Sequence, residues 1–338
     1  MTLRLEGLSK RYGRRIALDG FDLAVADQSF TVLTGPPKSG KTTLLRIMAG
    51  LEAPDAGRVV AGGRDVTADG PAARPFGYVP QSFALYPHLT VRDNVAYPLA
   101  LARAPRAAID RAVDRAAAML SIGHLMTKTP DQLSGGEKQR CAIARGLSRD
   151  AKVFLLDDPL VGLDYKLRER LMDELKDLRQ TLGATFLYAT SDSVEAMTMA
   201  SDVAVIDAGR IVQSGPVEAV YHRPAHARAM ALLGFPRANL VPAASAGPLG
   251  APPAGTATLG IRPEALRLTP GGTDATVRLI EDLGGDVVAH LDARGLALTA
   301  CLPADEAGWL AEGATVGVTA TDAVAFGADG ARLPGAAP

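Results

Sequence analysis

Residues 35–42 read GPPKSGKT, and the pattern G-x-x-x-x-G-K-[ST] in Gly35-Pro36-Pro37-Lys38-Ser39-Gly40-Lys41-Thr42 decides the fold. A short apolar run, residues 31–34, precedes it, and KTTLLRIMAGL, with helical spacing, runs on from its end. A strand that turns through glycines into a helix N-terminus points backbone N–H groups at an anion. Lys41 is placed to reach the β- and γ-phosphates of a nucleotide, and the Thr42 hydroxyl to hold Mg²⁺. Two residues are unusual for such a loop. Pro37 removes one N–H. Lys38 adds a cation beside the phosphates, unless both side chains simply face solvent.

Outward from this loop, strand candidates lie at 153–156, 185–189 and 203–206. The last turns at Asp207-Ala208-Gly209 into residues 210–213, a hairpin signal. A charged amphipathic run fills 165–182, so strands and helices alternate, which predicts an α/β core. The composition shifts near residue 241. VPAASAGPLGAPPAGTATLG has no helix or strand period and reads as a linker or domain edge. Beyond it, ATVRLIEDL, DVVAHLDA and LALTACL alternate apolar and polar residues between glycine-rich turns, a small all-β module. The chain has no internal repeat.

With 338 residues there is room for two or three domains and a large core. Hydrophobic residues at 47% and charged residues at 22% fit a soluble globular protein. A net charge of −1 supplies no field for nucleic acid, so no nucleic-acid partner is expected. Cys141 and Cys301 are far apart, lack metal-ligand spacing and suit a reducing cytosol. MTLRLEGLSKRYGRR is charged early and does not read as a signal peptide. No stretch approaches the roughly 20 apolar residues of a membrane span. Work at a membrane therefore requires docking on a partner that spans it.

Residues 154–164, FLLDDPLVGLD, place Asp157 and Asp158 at a strand end, where paired carboxylates suit a metal and a base. Residues 133–140 read LSGGEKQR, and YVPQ carries Gln81. With the phosphate loop, in this order and spacing, these motifs resemble the ATP-binding subunit of an ABC transporter over about residues 1–236. The resemblance implies an α/β P-loop NTPase core with a helical subdomain at about 82–150, and ATP and Mg²⁺ as ligands. By the same resemblance Tyr12 stacks on adenine, and Gly35 to Thr43 is the Walker A loop. Gln81 contacts Mg²⁺ and water, Asp157 is the Walker B carboxylate for Mg²⁺, and Asp164 is the D-loop aspartate. Ser134, Gly135 and Gly136 form the signature that serves the nucleotide of the other subunit in a head-to-tail pair. The region 82–98 resembles the surface that receives the transmembrane permease subunits.

GIRPE at 260–264 and YPHLTVRDNVAYPL are similar to the maltose-type importer ATPases, although GIRPE alone also reads as an ordinary turn. That resemblance implies a C-terminal all-β, OB-like barrel at 237–338 for dimer contacts and regulation, here a short one. It further implies a peripheral protein on the cytoplasmic face of the inner membrane, importing a sugar, polyol or similar solute delivered by an extracytoplasmic solute-binding protein. The solute itself is not encoded in this chain.

Three positions depart from the family. Asp158 stands where the catalytic base is normally glutamate, and a retraction of about 1 Å costs on the order of 100-fold in rate. Ser191, in LYATSD, stands where the switch histidine normally contacts the γ-phosphate, and serine cannot carry charge. Val161 replaces a small polar residue. The histidines are His88, His124, His222, His226 and His290, so none lies near the switch. Both weakened groups act on this chain's own nucleotide, while the signature is intact. That asymmetry suits one half of a heterodimeric ATPase pair. A homodimer with two weakened sites is the rival, and a non-hydrolysing ATP-sensing module is a third reading. A soluble ABC ATPase remodelling ribosomes or DNA fits less well, for the chain has one P-loop, no heptad run and no basic excess.

Overall fold

The computed structural model describes residues 2–149 and 151–334. Its contacts divide the chain into two compact units between Ile211 and Val212. In the first unit lie β1 (Leu3–Tyr12), β2 (Arg15–Val25), β3 (Phe30–Thr34), α1 (Lys41–Ala49), β4 (Ala56–Ala61), β5 (Arg64–Asp65) and β6 (Phe76–Val79). They are followed by α2 (Val91–Leu101), α3 (Arg106–Met119), α4 (Gly135–Leu147), β7 (Val153–Asp157), α5 (Tyr165–Leu182), β8 (Thr185–Thr190), α6 (Ser193–Met199) and β9 (Asp202–Asp207). Strand β10 (Arg210–Pro216) carries the chain onward to α7 (Val217–His222), α8 (Ala227–Leu232), β11 (Asn239–Pro242), β12 (Thr258–Ile261) and β13 (Leu266–Asp282). Strands β14 (Asp286–Ala293), β15 (Leu296–Pro303), β16 (Thr315–Ala320) and β17 (Val324–Phe326) complete the second unit.

The central strands β3, β7 and β8 are buried at every residue, which is why they read as continuous apolar runs. The sheet order is β10–β9–β3–β8–β7–β6, with parallel pairing from β9 to β6. The register sets Thr34 beside Thr190 and Asp157 beside Ala189. The loops leaving β3, β6, β7 and β8 therefore open on one carboxyl edge, where open α/β sheets bind ligands. An antiparallel sheet, β2–β1–β4–β5, covers the far side of α1. Leu5, Leu18 and Phe21 of that sheet join Leu44 and Ile47 of α1 and Leu155 and Leu187 of the parallel sheet in one core. Buried Arg74 donates to the carbonyls of Ile47 at 2.6 Å and Met48 at 2.7 Å, reinforcing the C-terminus of α1, where the Gly50 and Leu51 N–H groups already bond the Ile47 and Arg46 carbonyls. With both faces and its last turn fixed, α1 holds its N-terminus at the sheet edge.

The helical stretch starts where Thr90 caps α2 by accepting from the Asp93 N–H. It ends with α4, opened by a capping box between Ser134 and Glu137. Among the described residues no helix is long and apolar enough to cross a membrane.

The second unit is built on two antiparallel sheets, β15–β14–β13–β16 and β11–β12–β17. Val277, Leu291, Leu298 and Val316 meet in its core. The alanine- and proline-rich stretch after residue 240 is not a linker. Its first residues form β11, which pairs with β12 through Val241 and Leu259, and Ala246 and Leu249 are buried in the same core. A four-residue strand ending in proline is too short to print a period. The family resemblance sets the domain boundary at 236/237, whereas α7 and α8 fall within the second unit. The reason is Arg262, 8% exposed, which donates to the carbonyls of Tyr221 at 2.9 Å, Met230 at 3.1 Å and Leu233 at 2.5 Å.

Candidate nucleotide-binding site

The carboxyl edge of the parallel sheet holds a cavity of about 470 Å³. The loop after β3 forms one wall of it. This loop fits only with glycine at its ends. A Cβ on Gly35 would lie 2.0 Å from the Ile206 carbonyl oxygen, and one on Gly40 would lie 2.4 Å from that of Ala17. Lys41 is 8% exposed and donates to the carbonyls of Gly35 at 2.7 Å and Pro36 at 3.1 Å. Burial holds its ammonium below the usual lysine range. Its hydrogen bonds go to its own loop, while the negative charges of Asp158 and Asp157 act against the effect of burial.

Asp157, at the end of β7, is 2% exposed. Its Oδ1 accepts from the Thr42 hydroxyl at 2.9 Å and its Oδ2 from the Tyr78 hydroxyl at 3.2 Å. Burial raises its carboxyl above the ordinary range, against those two hydrogen bonds. A carboxylate beside a threonine hydroxyl is the hard-oxygen donor set that suits Mg²⁺, so the residues present fit that ion.

Asp158 turns the chain out of the sheet. Its φ is 47°, in the left-handed region, and its N–H donates to the Ala189 carbonyl at 2.8 Å. Aspartate enters that region more readily than most residues. Its carboxylate accepts from Gln81 Nε2 at 3.4 Å. Burial, with the negative charge of Glu195 second, pushes the Asp158 carboxyl up to about 6. Ser191, in the turn after β8, lines the same cavity, as does Val161, and no histidine is among its lining residues.

Tyr12 lies at the end of β1, 46% exposed, with its hydroxyl on Glu52, and is not part of the cavity wall. Ser134, Gly135 and Gly136 also lie off the cavity. The Ser134 N–H donates to Glu137 Oε2 at 2.8 Å, and Gly136 lies so close to α5 that a Cβ would meet Leu167 at 2.0 Å. Asp164 caps α5, its Oδ1 accepting from the Leu167 N–H at 3.1 Å. This chain therefore brings together the loop after β3, Gln81, Asp157, Asp158 and Ser191, with Ser134, Gly135 and Gly136 outside the cavity lining.

Three residues around the cavity have no motif to announce them. Arg15 lines it and donates to the Lys38 carbonyl at 3.0 Å. Glu195, 3% exposed, accepts from the Tyr188 and Thr190 hydroxyls, each at 2.7 Å. Arg168 reaches from α5 to Asp192 at 3.1 Å and to Glu195 at 3.8 Å. The spacing D-x-x-E at 192–195 was a readable helix-start signal, for Asp192 caps α6, but nothing in it marks a charge that acts on Asp158.

Beside α2, residues of the 82–98 region border an apolar groove of about 310 Å³. The Tyr86 and Tyr97 rings pack 4.4 Å apart, and Arg145 holds the loop by donating to Ala84 at 2.5 Å and Phe83 at 3.1 Å.

The sequence profile of the ABC transporter family matches residues 18–161, and that of the TOBE domain matches residues 259–326. The sn-glycerol-3-phosphate import ATP-binding protein UgpC of Chromohalobacter salexigens is 41% identical, over 98% of this chain and 96% of its own length. UgpC of Brucella abortus is 38% identical over 97% of this chain and 98% of its own. Among solved structures, the dimeric post-hydrolysis state of the ATP-binding cassette MJ0796, bound to ADP and Pi, superposes with a TM-score of 0.58 at 29% identity. It covers 63% of this chain and 98% of that one. The ADP conformation of MJ1267, a cassette of an ABC transporter, gives 0.59 at 25% identity, over 66% of this chain and 96% of that one. Near-full-length identity to these relatives, with the cassette in the first unit and the TOBE domain in the second, shows that the chain belongs to the ATP-binding proteins of ABC transporters.

Proposed function

We propose that this chain binds and hydrolyses ATP to drive an importer of a small polar solute, of the polyol-phosphate or sugar class. The observation that carries the reading is the convergence, in one cavity, of the Walker A loop, the Thr42–Asp157 pair and the Gln81–Asp158 pair. The solute class rests on the relatives named for sn-glycerol-3-phosphate import. In this reading the groove of the 82–98 region is the docking surface for the transmembrane permease subunits, and the chain works peripherally on the cytoplasmic face of the membrane. An extracytoplasmic solute-binding protein feeds the same permease.

Each side chain then has a role. Lys41 leaves the loop carbonyls for the β- and γ-phosphates. Thr42, Asp157 and Gln81 would hold Mg²⁺, which would supply positive charge to those phosphates. Asp158 receives the proton of the attacking water, which Gln81 orients. Tyr12 stacks on adenine when nucleotide arrives. Aspartate reaches less far than glutamate, and Ser191 offers a neutral hydroxyl where an imidazole is usual, so this site turns over slowly. Ser134, Gly135, Gly136 and Asp164 serve the nucleotide of a second, different ATPase subunit. The intact signature beside a weakened site favours that pairing over two copies of this chain.

Equilibrium binding of ATP with Mg²⁺ to the full chain tests the reading. Micromolar affinity is expected for the wild type, with a loss of about 100-fold or more in Lys41→Ala. Equal binding by both would overturn it.

A further inference from the structure

Lys38 occupies a backbone conformation that disfavours it. Its φ is 67°, in the left-handed region where glycine is the natural residue. Such outliers persist where the surroundings enforce them, and they gather at functional sites. The enforcement is visible here, for Arg15 donates to the Lys38 carbonyl at 3.0 Å. Lys38, an exposed residue, lines the nucleotide cavity together with Ser191, Gln81 and Asp158. Among the described residues its ammonium has no acidic partner and no hydrogen bond. A lysine costs backbone strain here, answers no charge of the protein, and borders a cavity whose switch position has no cation of its own.

We propose that Lys38, held in place by Arg15, is a second phosphate-contacting cation that takes the place of the imidazole missing at Ser191. The proposal rests on the reading of this cavity as an ATP site. A nucleoside triphosphate carries more negative charge than a diphosphate, and an added cation at the phosphate chain favours the more charged ligand. The cation is supplied by the loop under the phosphates rather than by the switch after β8. Binding of the triphosphate is thereby strengthened without restoring the hydrogen bond that holds the attacking water. That combination suits a site that retains ATP and hydrolyses it slowly.

The test is the ratio of affinities for a non-hydrolysable ATP analogue and for ADP, each with Mg²⁺, on the full chain. Lys38→Gln and Lys38→Gly are expected to reduce this preference about tenfold, and Lys38→Arg to retain it. Lys38→Gly also relieves the left-handed backbone, so it is expected to melt no lower than the wild type while losing discrimination. A purely structural lysine would show the reverse pattern. An unchanged ratio in both neutral variants overturns the proposal while leaving the ATP site intact. Absence of nucleotide binding by the wild type, or its survival in Lys41→Ala, overturns the underlying reading and the proposal with it.

Discussion

The Tyr78 hydroxyl donates to Asp157 Oδ2 at 3.2 Å while the same tyrosine lines the apolar groove beside α2. One side chain thus touches both the candidate metal carboxylate and the candidate permease surface. Burial, then the Asp157 charge, pushes its hydroxyl well above the usual phenol range, so it remains a donor at neutral pH. Tyr78→Phe keeps the ring and removes only this bond. Urea titration is expected to show a loss of about 1 kcal/mol. The change in ATP affinity caused by permease docking is expected to shrink about fivefold.

With Asp158 as the proposed base, its carboxyl, raised to about 6, is expected to set an acid limb on activity. A base must be ionised to accept a proton, so turnover falls as pH drops through about 6 and levels above it. Glu195, on α6, raises this group, as does neighbouring Asp157, whereas Lys41 from α1 and Arg168 from α5 lower it. Glu195→Gln is therefore expected to move the titration of Asp158 to lower pH, followed by carboxyl NMR of the nucleotide-free chain. A titration that stays in place would contradict the electrostatic account.

Arg262 binds three carbonyls and stacks on Tyr221, its guanidinium carbon 3.8 Å from the ring centroid. Arg262→Met leaves those carbonyls without their donor. A loss of about 3 kcal/mol from the second unit is expected, read as a lowered melting transition, with ATP binding retained.

Gly40 has φ 111° and stands where a Cβ would meet the Ala17 carbonyl at 2.4 Å. Gly40→Ala must displace β2 or the loop. A cost of about 2 kcal/mol or more, with loss of nucleotide binding, is expected in a thermal-shift titration with ATP.

The parallel sheet was legible because strands buried on both faces print continuous apolar runs, as at Val153–Asp157. The hairpin at Ala208-Gly209 was legible too, since both residues have positive φ. Strands β1 and β2 were not, because their pairing is broken by register shifts that scramble the alternation. The strand register brings the motif residues Asp157, Asp158, Gln81 and Ser191 to one edge, whereas Tyr12, Ser134, Gly135, Gly136 and Asp164 lie off that cavity. Arg15 was not readable, since it acts on Lys38 from 23 residues away. Nor was the Glu195 charge, which reaches Asp158 only through folding.

The most direct measurement is ATP turnover by the purified chain beside Asp158→Glu and Asp158→Glu/Ser191→His. Glutamate at this left-handed position gives up some backbone comfort for reach, so the double variant is the decisive one. The account predicts slow turnover by the wild type and a gain of about 100-fold in the double variant. Ordinary turnover by the wild type, with no gain from either substitution, would contradict it and favour two copies of this chain as the working ATPase pair.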